Sequence, residues 1–87
     1  MERAVDRYNQ EILKQTVSYT ICAFTPRQKM AREEGFASLE DAAERGVKMM
    51  KENTSMRTVM LYAADHHERY VMVGFIDRAL RFHPARN

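Results

Sequence analysis

The run Asp65-His66-His67-Glu68 is the densest group of chemically active side chains in this sequence. Two imidazoles and two carboxylates are all able to ligate a transition metal. Zinc requires donors that converge on one point, however, and adjacent residues of a turn diverge. No cysteine pair, HExxH motif or second ligand cluster completes such a set. The run therefore reads as a polar hairpin tip, and no metal is expected. The chemistry left to it is a pH response: both imidazoles would charge near pH 6.5, at about the ordinary histidine value, and the flanking carboxylates would favour that charge.

Cys22 is the single cysteine. A lone thiol with no placed base is a poor nucleophile, and no protease signature surrounds it, so it reads as a small, partly buried strand residue. It has no intrachain partner for a disulfide, which argues against a secreted, bridge-stapled scaffold. Ser18, Thr20, Ser38 and Ser55 read as strand or cap residues. Gly35, Gly46 and Gly74 are scattered and build no phosphate-binding loop. Glu33-Glu34 and Glu40-Asp41 fall at predicted helix ends, where acids are ordinary. Nothing assembles a nucleophile, a base and a charge stabiliser, so neither an enzyme nor a cofactor is expected.

The charge balance of 14 basic and 12 acidic residues is intermixed, and the net +2 excludes acidic mimicry of DNA. Only residues 78–87 are locally basic. There Arg78, Arg81 and Arg86 form a tail that could contact phosphates, which makes nucleic-acid binding the alternative function. No apolar run approaches the ~20 residues that span a bilayer, and the opening Met1-Glu2-Arg3 leads into no signal-peptide core, so the cytoplasm is the expected compartment. With 87 residues the chain is expected to be one domain, near the size at which a single core barely suffices.

The elements that would carry these side chains follow from periodicity. Val5, Tyr8, Ile12 and Leu13 recur at helical spacing and predict a helix over residues 2–15. Val17, Tyr19 and Ile21 alternate with Ser18 and Thr20 and predict a strand to Phe24. Thr25-Pro26-Arg27-Gln28 has the pattern of a helix start, and Gly35 with Phe36 that of a helix end, so a short polar helix is predicted between them. Ser38-Leu39-Glu40-Asp41 caps a longer helix with the apolar stripe Leu39, Ala42, Ala43, Gly46, Val47, Met50, closed by Asn53-Thr54-Ser55. Gly46 in mid-helix costs about 1 kcal/mol relative to alanine, which suggests close packing on a sheet. A C-terminal hairpin follows, and Asp77 to Phe82 predict one further helical turn ending at Pro84. The expectation is an α+β domain, order α-β-α-α-β-β, with a three-stranded antiparallel sheet packed on helices.

The hairpin from Arg57 to Asp77 is unusual because both its faces are apolar. In a simple register Ala63 pairs with Tyr70, Leu61 with Met72 and Val59 with Gly74 on one face. Tyr62 then pairs with Val71, Met60 with Val73 and Thr58 with Phe75 on the other. A strand with one face in water should alternate, so the second face calls for its own cover. Met30, Met49, Met50, Met56, Met60 and Met72 concentrate on or near the long helix and this hairpin, and methionine is over-used on binding surfaces. The expected function is therefore a non-enzymatic protein-interaction module, a homodimer or a regulator of a larger partner. Its contact residues would be Met60, Tyr62, Val71, Val73 and Phe75, with no membrane and no small-molecule substrate involved. In size and motif-free layout the chain is similar to small proteins that phages and mobile elements use to block host machinery, anti-CRISPR proteins among them. That resemblance assigns no site.

Overall fold

A computed structural model describes residues 4–25, 27 and 30–85. Helix α1 spans Ala4–Lys14, strand β1 Ser18–Phe24, β2 Met30–Phe36, helix α2 Leu39–Glu52, β3 Val59–Ala64, β4 Tyr70–Ile76 and β5 Phe82–Pro84. The strands form a five-stranded sheet in the order β2-β1-β3-β4-β5, every neighbouring pair antiparallel. The fold is thus α+β, with element order α-β-β-α-β-β-β.

Two predicted elements are corrected. The short helix predicted between Thr25 and Gly35 is replaced over its described length by edge strand β2, which residues 30–36 form beside β1. The predicted cap residues Pro26 and Gln28 lie outside the described residues. A helix here would have had no apolar stripe to bury, whereas an extended chain needs only Ala31 and Phe36 to face the core. Its other residues are largely charged, which suits a sheet edge because charge discourages further strand pairing. Gly35 does have the expected left-handed backbone, φ 85°, but at the irregularity where the pairing passes from Ile21–Glu33 to Tyr19–Phe36. The predicted C-terminal helical turn and tail are instead a tight turn followed by β5, and β2 and β5 together raise the strand count from three to five.

Helix α2 begins and ends as its sequence demands. The Ser38 hydroxyl accepts a hydrogen bond from the Asp41 backbone N–H at 3.0 Å, and the Asn53 N–H donates to the Met49 carbonyl at 2.9 Å. Its buried stripe is Ala42, Gly46, Met49 and Met50, so Met49 belongs to the core and not to a leftover surface. A methyl group on Gly46 would lie 3.0 Å from Ile76 Cδ1 and 3.1 Å from Val59 Cγ1. That proximity is the packing reason for a glycine in mid-helix. The helix is also tied to edge strand β2, where the Arg45 guanidinium donates two 2.9 Å hydrogen bonds to the Glu33 carboxylate. These bonds hold the Glu33 carboxyl below its ordinary pKa.

The core has two connected parts on a single sheet face. Ile21, Ala23, Val59, Leu61 and Ile76 meet Ala42, Met49 and Met50 of α2, together with Met56. Ile12 of α1 meets Ala63 and Val71. Since Val59, Leu61 and Ala63 are alternate residues of β3, both helices pack on the same side.

The β3–β4 register also departs from expectation. Ala64 pairs with Tyr70, Ala63 with Val71 and Tyr62 with Met72, and then an irregularity leads to Leu61–Gly74, Met60–Phe75 and Val59–Ile76. One extra residue, Val73, is accommodated as a bulge. It packs against both parts of the core. Beyond it, Gly74 admits the Phe82 ring of β5: a methyl at this glycine would overlap that ring and the His83 carbonyl.

Candidate functional site

With both helices on one side, no described helix covers the other side of the sheet. Strand alternation and register place a continuous row there across all five strands: Arg32, Cys22, Met60, Phe75 and His83, each paired with the next. Beside it run Thr20, Tyr62 and Met72, and then Ser18, Ala64 and Tyr70. Phe24 and Met30, also paired, extend the surface at one corner and are both exposed. The centre of this open face is sulfur, phenyl and phenol, and its charge sits on the outer strands.

Neighbouring side chains on the face contact one another. The Phe75 and His83 rings stack with centroids 4.8 Å apart. His83 Nε2 lies 2.6 Å from Asp77 Oδ2. That contact, and the Arg81 backbone N–H after it, hold the Asp77 carboxyl below its usual range. The Tyr62 hydroxyl donates to Met60 Sδ at 3.6 Å. Burial raises the Tyr62 phenol above its ordinary pKa, and the Cys22 thiol adds to that. Arg32 Nη2 donates to the Tyr70 hydroxyl at 2.8 Å while its guanidinium carbon stands 5.1 Å from the Tyr70 ring centroid. Between them Thr20, Cys22, Arg32, Tyr62 and Tyr70 line a shallow hollow of about 160 Å³. A hollow of that size accepts a side chain more readily than a metabolite, since ligand pockets run to about 300–1,000 Å³.

Of the five contact residues expected from sequence, Met60, Tyr62 and Phe75 lie on the open face. Val71 and Val73 lie on the helix side and pack into the core. Their misplacement follows from the register: the tip pairs one residue out from the simple pattern, and the bulge shifts it again. Sequence reasoning also missed Arg32 and His83 on this face, because β2 and β5 were not recognised as strands, and it set Tyr70 on the other face by pairing it with Ala63 instead of Ala64.

The residues singled out for nucleic acid are differently placed. The Arg78 guanidinium is directed at the end of α2 and donates to the carbonyls of Met50 (2.7 Å), Asn53 (3.2 Å) and Met56 (2.6 Å). Cationic donors are favoured at a helix C-terminus, where carbonyls lack partners, so this arginine is a structural brace. Arg81 is exposed. Arg86 lies outside the described residues.

The Asp65–Glu68 tip is an ordinary tight turn, with His66, His67 and Glu68 exposed. Asp65 is buried; its Oδ1 accepts from the backbone N–H groups of His67 (3.0 Å) and Arg69 (2.9 Å), and its Oδ2 takes the Arg69 Nε at 2.7 Å. Burial works to raise its pKa, but these donors outweigh it and hold the carboxyl below the usual range. The described residues hold no cluster of three or more potential metal ligands. None of their helices is long and apolar enough to cross a membrane.

Compared with known proteins, the chain matches no family model, no curated protein and no solved structure at a significant level.

Proposed function

We propose that this protein is a non-enzymatic interaction module whose open sheet face packs against the same face of a second copy. One observation carries the reading: the row Arg32, Cys22, Met60, Phe75, His83 crosses all five strands on a side that neither helix covers. Sheets pack face to face in water when both inner faces are apolar, and this face is apolar at its centre. A two-fold contact must be self-complementary, and a neutral centre with both signs at its rim satisfies that condition. Arg32 and Glu34 on one outer strand, and Asp77 with His83 near the other, supply those signs. Five strands about 4.8 Å apart and six residues of about 3.3 Å each give roughly 500 Å² per copy, so two copies reach the ~1,000 Å² of a specific contact. Strand addition is a poorer route to assembly, because β2 is charged and β5 has only three residues. An unpaired Cys22 on the contact face is compatible with the reducing cytoplasm.

Sedimentation equilibrium tests this proposal. The expected result is a species of twice 10.2 kDa for the native chain, and a monomer with unchanged far-UV circular dichroism for Tyr62→Arg. A native monomer at the highest soluble concentration would remove the second copy as partner. A larger partner occluded by the same face, as inhibitors of host machinery act, would then be the remaining protein-binding form of the proposal.

A second reading is favoured by Tyr62, Tyr70, Phe75 and His83 sharing that face, since aromatic rings on a sheet can stack bases of single-stranded nucleic acid. Titration with random oligonucleotides at two salt concentrations separates the readings, because affinity for phosphates must fall as salt rises.

A further inference from the structure

The helix side of the sheet holds a separate surface. Between α2 and β5 a groove of about 350 Å³ is lined by Ala43, Val47, Ile76, Leu80 and Phe82, with Glu40 and Glu44 alongside. The fold keeps it open: Ala43 is small where it faces the groove, and Phe82 lies over Gly74 instead of closing against α2. Phe82 is 42% exposed, as expected of one wall of an unfilled groove. Glu40 and Glu44 stand one helical turn apart. No side-chain hydrogen bond or ion pair joins either carboxylate to another described residue. Lys48, a turn further on, does not line the groove.

We infer that this groove receives a peptide segment of a partner in which one aliphatic or aromatic side chain is flanked by lysine or arginine. Its apolar floor accepts the anchor, and its two carboxylates select positive flanks over negative ones. A helix first turn ordinarily tolerates acids, so Glu40 alone would say little. What commits the occupant's charge is two carboxylates that no described residue pairs, beside an apolar hollow whose described lining offers no basic side chain. The groove is on the opposite side of the sheet from the open face, so the inference stands or falls independently of the homodimer.

The test is an NMR titration of the full chain with a blocked lysine–phenylalanine–lysine tripeptide. Its glutamate–phenylalanine–glutamate and lysine–alanine–lysine counterparts serve as controls. The expected result is saturable shifts at Ala43, Val47, Ile76, Leu80 and Phe82 for the first peptide, and much weaker ones for both controls. The double variant Glu40→Gln/Glu44→Gln should bind about threefold to tenfold more weakly, the range for two exposed ion pairs. Ala43→Leu, which fills the groove from within, should abolish the shifts while the rest of the spectrum persists. Equal binding of the acidic peptide, or shifts located outside these residues, would overturn the proposal.

Discussion

The turns at residues 65–69 and 77–81 have the same construction and opposite fates. Each opens on aspartate and closes on arginine, and in each those two residues bond through the backbone: Asp65 N–H to the Arg69 carbonyl and Asp77 N–H to the Arg81 carbonyl, both at 3.1 Å. The fourth residue donates to the aspartate carbonyl in both, and it has left-handed backbone in both, φ 58° at Glu68 and 66° at Leu80. The aspartate Oδ1 accepts from the closing arginine N–H, at 2.9 Å in the first turn and 3.1 Å in the second. The first turn is nevertheless a solvated tip and the second a brace. At the second position His66 meets water, whereas Arg78 reaches the carbonyls at the end of α2. At the fourth, Glu68 is exposed, whereas Leu80 packs against the core. Turn chemistry sets the backbone; what positions two and four can touch decides whether the turn is structural.

The largest effect expected from this contrast is at the second position. Arg78→Ala should cost about 2–3 kcal/mol in urea unfolding, because it leaves helix-end carbonyls without charged donors. Arg78→Lys should recover only part of that, since an ammonium does not reproduce the guanidinium fork. A loss no greater than at His66 would break the contrast.

The fourth position should separate the turns in sign. Glu68→Gly relieves a left-handed side-chain conformation at an exposed site and should stabilise the fold by roughly 0.5–1 kcal/mol. Leu80→Gly gains the same relief but loses its packing, so it should destabilise by about 1–2 kcal/mol. Thermal midpoints of the two variants measure this directly.

Acid provides a smaller, pH-restricted comparison. The Asp65 and Asp77 carboxyls are both held below their ordinary values. The unfolded chain therefore takes up their protons first, so the stability they contribute is present above about pH 4 and is lost as pH falls through the depressed folded values. Asp65→Asn and Asp77→Asn should each flatten the fall in unfolding midpoint between about pH 5 and pH 2, measured by circular dichroism. The smallest effect is expected from His66→Ala/His67→Ala, within about 0.5 kcal/mol of the native chain at pH 7, as for exposed side chains.

Both turns were visible in the sequence as Asp-x-x-x-Arg recurring twelve residues apart, although only the first was recognised as a turn. Elements that bury a regular stripe were legible: α1, β1, and α2 with its Ser38 cap and its mid-helix glycine. Strand β2 was not, because an edge strand buries little and the Thr25-Pro26 sequence before it mimics a helix start. Strand β5 was not, because three residues carry no period and its placement depends on the Phe82 ring reaching Gly74. At the candidate site, the apolar character of both hairpin faces was read correctly from composition, and Met60, Tyr62 and Phe75 lie where the second face was sought. Val71 and Val73 were assigned to the wrong side because the tip pairs one residue out from the simple register, and the change of register at Val73 then returns Phe75 to the open face.

The bulge decides which side of the sheet the far half of β4 presents. Val73 and Gly74 together stand against Leu61, so two successive residues turn to the helices and Phe75 falls on the open face. Were Val73 to pair with Leu61 and the strand to run on without a bulge, alternation from Met72 would send Phe75 toward the helices and Gly74 and Ile76 outward. Deleting Val73 would not do so, because Met72–Tyr62 would then be followed directly by Gly74–Leu61 and Phe75–Met60. The identity of the surface is thus encoded in where the strand slips as much as in residue types.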